Sequence, residues 1–190
     1  MTRFRWGRHL PVLAGPRLEL RALQPRDTQA IFNVFSDPEV MRYWSSLPLE
    51  RPEEALRLIL DIQVHFRERR LFQWGIARKA ERDVIGTCTL FHLNTEQRRA
   101  EIGYALGRHA WGQGYATEAL AVLIGFAFER LGLHRLEADT DPRNARSIRA
   151  LERQGFRREG LMRERWRVGG ETQDALLFGL LEREWTRGED

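Results

Sequence analysis

The stretch Arg108-His109-Ala110-Trp111-Gly112-Gln113-Gly114-Tyr115-Ala116-Thr117-Glu118-Ala119-Leu120 joins two segments of different kind. Before it, Ala100-Glu101-Ile102-Gly103-Tyr104-Ala105-Leu106 reads as a strand. After it, the run from Ala116 to Leu131 is mostly Ala, Leu, Ile, Val and Phe without proline, which predicts a buried helix. The two glycines therefore sit on a strand-to-helix turn. Gly112 and Gly114 lack a Cβ, so the backbone there bends tightly and lets a ligand approach. The first N–H groups of a helix have no internal partner and lie at the positive end of its dipole. A turn of this kind suits phosphate or pyrophosphate.

A nucleotide P-loop would end in Gly-Lys-Ser/Thr, but Gly114 is followed by Tyr115 and Ala116, so that reading fails. A dinucleotide fingerprint would need a third glycine where Thr117 stands, and a fully buried parallel strand would not carry Glu101. For the hexapeptide alone, a purely structural glycine turn stays open.

At 190 residues, 42% apolar and 31% charged, the chain reads as one soluble domain, residues 1–190, with a sizeable core. No apolar run approaches the ~20 residues of a membrane span. Met1-Thr2-Arg3-Phe4-Arg5-Trp6 lacks the apolar stretch and cleavage site of a signal peptide, so the cytoplasm is the expected location. Cys88 is the only cysteine, which excludes an internal disulfide and a cysteine metal cage. The net charge is +4, and Lys79 is the only lysine. The basic blocks Arg67–Arg70 and Arg163–Arg167 are short and interrupted by glutamate, so they read as solvated faces rather than a nucleic-acid surface.

Outward from the turn, the elements follow in order. Residues 1–15 read as an extended lead-in. Arg17–Leu23 alternates as a strand ended by Pro25, and Ala30, Ile31, Val34 and Phe35 mark an amphipathic helix stopped at Asp37-Pro38. Tyr43–Pro48 is an aromatic loop. A second helix opens at Arg51-Pro52-Glu53-Glu54 and runs to about Arg70, with Ala55, Leu56, Ile59, Leu60, Val64 and Phe66 on its apolar side. Phe72–Ala77 and Val84–Leu93 are strands joined by the charged turn Glu81-Arg82-Asp83. Beyond the glycine turn, Gly132 ends the buried helix and Arg135–Thr140 is a strand. Asp141-Pro142-Arg143-Asn144 caps a helix over Ala145–Gln154, ended by Gly155. Strands at about 158–168 and 172–181 meet at Gly169-Gly170. The order predicts an α+β fold with a mixed sheet, in which the unit from 100 to 140 is a right-handed parallel crossover.

Trp111-Gly112-Gln113-Gly114-Tyr115-Ala116 resembles the acyl-coenzyme A loop Gln/Arg-x-x-Gly-x-Gly/Ala of the GNAT N-acetyltransferases, with Trp at the first position. Arg17–Arg21, Ser36–Trp44, Ile85-Gly86-Thr87, Ala100–Tyr104, Asn144–Ser147, Gly155-Phe156 and Glu159-Gly160 fall in the order and spacing of the RimJ/RimL branch, the ribosomal-protein N-terminal acetyltransferase-like proteins. The resemblance covers nearly all of the chain. It implies a mostly antiparallel sheet of six to seven strands, flanked by helices and splayed between its fourth and fifth strands. It also implies an acetyl-coenzyme A-dependent N-acetyltransferase that moves an acetyl group to a primary amine by direct attack in a ternary complex, without a metal. The acceptor is a protein N-terminus or a small molecule. A non-catalytic acyl-coenzyme A-binding module is the alternative.

The family carries over specific roles. Backbone N–H groups of Gly112, Gln113, Gly114, Tyr115, Ala116 and Thr117, with Trp111 at the loop's first position, would hold the pyrophosphate. The backbone of Ala105 and Leu106 would hold the pantetheine arm, to which Asn144 would hydrogen-bond; Asn144 also reads as a helix N-cap. Ser147 would protonate the departing thiolate. An α-amino group (pKa ~7.7–8.0) costs only about 1 kcal/mol to deprotonate near pH 7, so a modest base or a water chain suffices. Glu101, a carboxylate on the strand beside the acyl group, is the candidate base, and also reads as an exposed strand glutamate. A backbone N–H on the fourth strand would stabilise the oxyanion. A glutamate proposed as base in some RimL-like members is replaced here by Trp166. Arg108, Arg146 and Arg149 are candidates for coenzyme phosphates or solvated arginines. Cys88 reads as a core residue and His109 as surface. Trp44, Trp74 and Tyr104 read as acceptor-pocket or core aromatics. Oligomeric state is open, homodimer included.

Overall fold

Alternating apolar residues build the strands, and apolar spacing of three and four builds the helices, in the computed structural model, which describes residues 7–186. The Met1–Trp6 segment, read as lacking a signal peptide, lies outside them. The elements are β1 (Leu13–Ala14), β2 (Leu18–Arg21), α1 (Thr28–Phe35), α2 (Pro38–Met41), α3 (Pro52–Arg67), β3 (Phe72–Arg78), β4 (Val84–Asn94) and β5 (Arg99–Leu106). They continue as α4 (Tyr115–Gly125), β6 (Arg135–Thr140), α5 (Ala145–Arg153), β7 (Arg157–Val168) and β8 (Glu171–Leu181).

Among the described residues the strands form one eight-stranded sheet in the order β1-β2-β3-β4-β5-β6-β8-β7. This corrects the expected six to seven. The extra strand, β1, pairs Leu13 with Leu20 and Ala14 with Glu19, and two residues carry no readable period. Every pairing is antiparallel except β5 with β6. That parallel pairing covers only Arg99↔Arg135, Ala100↔Leu136 and Glu101↔Glu137. Beyond it β5 continues to Leu106 and β6 to Thr140 without pairing, so the sheet is split at its middle.

The apolar core divides between the two faces of the sheet. Alternate residues of one strand, Ile76 and Ala77 or Leu106 and Ala105, belong to different clusters. One cluster packs α4 through Leu120, Leu123 and Ile124; the other packs α1 and α3 through Ile31, Val34, Ala55 and Ile59. The buried side of α3 is Ala55, Ile59, Ile62 and Phe66, while Leu60 (45% exposed) and Val64 (38%) face outward, against the sequence reading. Two details lie outside that reading. Asp37, whose carboxylate accepts the Glu39 N–H at 2.9 Å, caps the one-turn α2. The buried helix passes at Phe126–Arg130 into a π-helical turn.

Candidate active site

The glycine turn lies at the open end of the split. Gly112 (φ +75°) and Gly114 (φ +80°) occupy the left-handed region that glycine adopts without strain. Gly114 is the N-cap of α4 and supplies no side chain to the helix's first N–H groups, and a Cβ on Gly112 would meet nothing within 4 Å. The turn is braced from behind. Glu118 accepts the backbone N–H groups of Arg17 and Leu18 at 2.7 and 2.9 Å and the Arg17 Nε at 2.8 Å. Arg17 Nη1 donates to the Gln113 carbonyl at 3.0 Å, and its guanidinium lies 4.6 Å from the Tyr115 ring centre. The Trp111 indole N–H donates to the Leu106 carbonyl at 2.8 Å and ties the turn to the end of β5.

Two clefts meet at the split. The first, about 740 Å³, runs along Trp111, Gly112, Gly114 and the first turn of α4. Among the described residues five arginines line it (Arg42, Arg143, Arg146, Arg149 and Arg153), against the single carboxylate Glu39. Arg146 stacks on Trp111 with its guanidinium carbon 4.3 Å from the ring centre. The second cleft, about 470 Å³, is walled by aromatic and aliphatic side chains and carries Glu101, Asp139, Asp141 and Asp174, with no arginine or lysine among the described residues. Tyr43, Trp44, Tyr104, Asn144 and Ser147 line both.

At that junction the Tyr104 hydroxyl and Ser147 Oγ are 3.0 Å apart, and Asn144 Oδ1 accepts the Ser147 N–H at 3.1 Å. Asn144 is thus the N-cap of α5, which fixes Ser147 in its first turn. Burial pushes the Tyr104 phenol above its usual range, against the opposing pull of the Ser147 bond. Asp141 is buried, which alone would raise its carboxyl; the two-point hold of Arg143 outweighs this and keeps it below the usual carboxylate range. Glu101 is paired with Phe91 on β4 with no register shift between it and Leu106, so it shares the α1–α3 face with Gly103 and Ala105 and enters the second cleft. His92 Nδ1 lies 2.9 Å from Glu101 Oε1.

The Gly107 N–H donates to Ile85 O on β4. By alternation the polar backbone groups of Ala105 also turn to β4, and those of Ile102, Tyr104 and Leu106 turn to the gap. Ala105 and Leu106 both line the first cleft, with Trp111, Tyr115, Ala116, Thr117 and Asn144. Gln113 is not brought into it; its side chain donates to the His109 carbonyl at 2.8 Å. Arg108 is paired with Asp37 at 3.2 Å and lies outside the cleft, whereas Arg146 and Arg149 line it. Trp74 is fully buried and donates to Pro11 O, so it is a core residue; Trp44 and Tyr104 pack partly buried against the core and line both clefts. Cys88 is buried and its thiol is raised by that burial. Trp166 reaches the second cleft and donates to Asp139 Oδ2 at 2.8 Å. Sequence reasoning missed His92, Glu118, and Tyr104 as the partner of Ser147.

A parallel strand pair that parts over a glycine-capped helix terminus, with a cationic cleft on one side and an anionic one on the other, suits a phosphorylated ligand on the first side and a cationic one on the second. The Acetyltransferase (GNAT) domain family matches residues 17–157. The uncharacterized N-acetyltransferase p20 of Bacillus licheniformis is 38% identical over 169 residues, 89% of this chain and 95% of its own length. The chain belongs to the GNAT acetyltransferases and uses acetyl-coenzyme A to acetylate an amine. Two solved structures are similar at 25% identity. One, from Vibrio cholerae, is named a putative ribosomal-protein-serine acetyltransferase (TM-score 0.75, covering 90% of this chain and 97% of that one). The other is the spermidine N-acetyltransferase of Vibrio cholerae with CoA and spermine (TM-score 0.77, 88% and 97%). The uncapped terminus, the open space at Gly112 and the five arginines fit the polyanionic coenzyme.

Proposed function

We propose that the acceptor is a cationic amine entering the second cleft, in the first instance the α-amino group of a protein N-terminus, and that the enzyme works in the cytoplasm as one domain. The observation that carries this is the charge contrast between two clefts meeting at Tyr104 and Ser147. The N–H groups of Gly112 and of Gly114 through Thr117 would hold the pyrophosphate, and the gap-facing backbone of Tyr104 and Leu106 the pantetheine arm, with Asn144 and Ala105 lining its path. Glu101 takes the proton of the amine as nitrogen attacks the thioester carbon. A gap-facing N–H of β5 receives the developing oxyanion. Ser147, held by Tyr104, passes a proton to the sulfur as the C–S bond breaks. The cationic nitrogen thus loses two protons, one to solvent before attack and one to Glu101 as it attacks. The thiolate gains one through Ser147, which is reprotonated from solvent, and one net proton is released.

The cleft carboxylates also favour a second reading, a polyamine acceptor, the class named for one similar structure. The test is a panel of peptides with free N-termini, polyamines and simple primary amines, incubated with the protein and acetyl-coenzyme A. Thiol release and mass spectrometry of the acceptor are followed. Acetylated peptide α-amines support the first reading. Turnover confined to polyamines transfers the assignment to the second, and acetylation of neither class sinks both.

A further inference from the structure

We propose that His92 is a proton-relay residue that discharges Glu101 to solvent in each turnover, an inference that rests on Glu101 receiving the proton of the acceptor amine. The backbone carries the argument. Phe91 pairs with Glu101, so in a regular strand the next residue would turn to the opposite face, where Ala100 is buried in the α4-side core. Instead the β4–β5 register shifts between Phe91 and Asn94, and His92 adopts φ +49°, an uncommon conformation for a non-glycine residue. The effect is to bring the imidazole back to the Glu101 side, with Nδ1 at 2.9 Å from Oε1 and the ring edge-on to Phe91 at 4.9 Å. A left-handed backbone that re-aims one side chain into a cleft motivates a functional hypothesis for that side chain.

The other carboxylates of this cleft have partners of a different kind. Asp139 accepts the Trp166 indole, Asp141 is held by Arg143, and Asp174 accepts the Glu164 N–H. None of those donors exchanges protons readily near neutrality, and imidazole does. Exposure grades outward as a relay requires: the Glu101 side chain is 24% exposed and that of His92 66%. The proton leaves the amine nitrogen for the Glu101 carboxylate. It crosses from Oε1 to His92 Nδ1, and the imidazolium releases its Nε2 proton to water. Exchange at the exposed ring restores the starting tautomer, so neither group changes charge over a cycle.

The experiment uses the full chain, acetyl-coenzyme A and an amine that the wild type acetylates. His92→Gln keeps a side-chain hydrogen-bonding group beside Glu101 but cannot relay a proton. His92→Gly suits φ +49° and leaves room for free imidazole. Both are expected to lower kcat about tenfold or more at neutral pH, with KM for acetyl-coenzyme A within about twofold of wild type. Added imidazole is expected to restore the His92→Gly rate saturably, and not that of His92→Gly combined with Glu101→Gln. A His92→Gln enzyme with wild-type kcat would make the histidine merely structural and overturn the proposal, as would a His92→Gly loss that imidazole does not repair. A wild type that acetylates no amine removes the underlying reading instead, which the wild-type assay alone reveals.

Discussion

Tyr104 and Ser147 stand where the coenzyme-side and acceptor-side clefts join, with their hydroxyls 3.0 Å apart. A serine hydroxyl turns freely, so a partner that fixes its direction matters to proton delivery. Burial holds the Tyr104 phenol above its usual value. It therefore stays a neutral donor throughout the neutral range, and any rate loss from its ionisation appears only above pH ~10. Ser147→Ala is expected to lower kcat by about 100-fold. Tyr104→Phe, which removes one hydrogen bond worth about 1.4 kcal/mol, is expected to lower it about tenfold. In both, KM for the amine stays near wild type, measured in steady state by thiol release. Equal kcat in Ser147→Ala and wild type removes Ser147 from the chemistry. Ser147 was legible in the sequence because it falls at a fixed spacing after Asn144. Its dependence on Tyr104 was not, because the two are 43 residues apart and meet only where the fold brings the first turn of α5 to β5.

The elements divide by whether their signal is local. Strands β3 to β8 and helices α4 and α5 were legible to within a few residues, since their periods persist over six residues or more. The two-residue β1, the one-turn α2 and the π-helical turn were not, because a slip in hydrogen bonding leaves no compositional trace. The glycine turn makes an element-scale prediction. Alanine at Gly112 or Gly114 must adopt a left-handed φ at a cost of about 1–2 kcal/mol. At roughly 2–4 °C per kcal/mol, both variants melt a few degrees lower. A Cβ on Gly114 would lie 3.4 Å from the flexible end of Arg17, whereas one on Gly112 would enter open cleft. Saturating acetyl-coenzyme A should therefore raise the melting temperature of Gly114→Ala by more than that of Gly112→Ala, read by thermal melts with and without coenzyme. Equal shifts would place the pyrophosphate elsewhere. The corner between β2 and α1 gives a second. Arg21 holds Asp27 with two bonds of 2.8 and 2.9 Å, and Gln24 N–H adds a third of 2.8 Å. Burial opposes ionisation of Asp27, but these bonds outweigh it, so its carboxyl lies below the usual range while Arg21 is raised. A depressed carboxyl stabilises the fold above its unfolded pKa of ~3.9, and that stability is lost as pH falls through the lower folded value. Asp27→Asn should cost about 2 kcal/mol at pH 7 and flatten the acid limb of a denaturation profile measured from pH 7 to 2. An unchanged acid limb would mean that Asp27 contributes little to acid unfolding.

At the scale of the whole molecule, charge is sorted rather than spread. The chain carries a net charge of +4, yet five arginines line one cleft and four carboxylates the other, which lacks arginine and lysine among the described residues. The split between β5 and β6 allows this, because it joins the two clefts through the sheet. Composition could not reveal it; the arginines of the first cleft come from residues 42 to 153 and the carboxylates of the second from 101 to 174. A consequence follows for acceptor choice. A negative group about 6 Å from one cleft carboxylate, at an effective dielectric of about 20, is repelled by about 2.8 kcal/mol. Solvent and salt in an open cleft reduce this to about 2 kcal/mol, or roughly 30-fold in kcat/KM. An amino-acid amide should therefore be acetylated roughly 30-fold more efficiently than the free amino acid of the same side chain, since only the latter brings a carboxylate next to its amine. The comparison must be made at equal concentrations of neutral amine, because the amide's amino group is also less basic. Raising the salt from 0.05 to 0.5 M should narrow the ratio, because screening weakens the repulsion without altering shape. A ratio near one would show that the cleft's carboxylates are neutralised by their hydrogen-bond partners, and acceptor selection would then rest on the aromatic walls. A large ratio indifferent to salt would point to a steric cause.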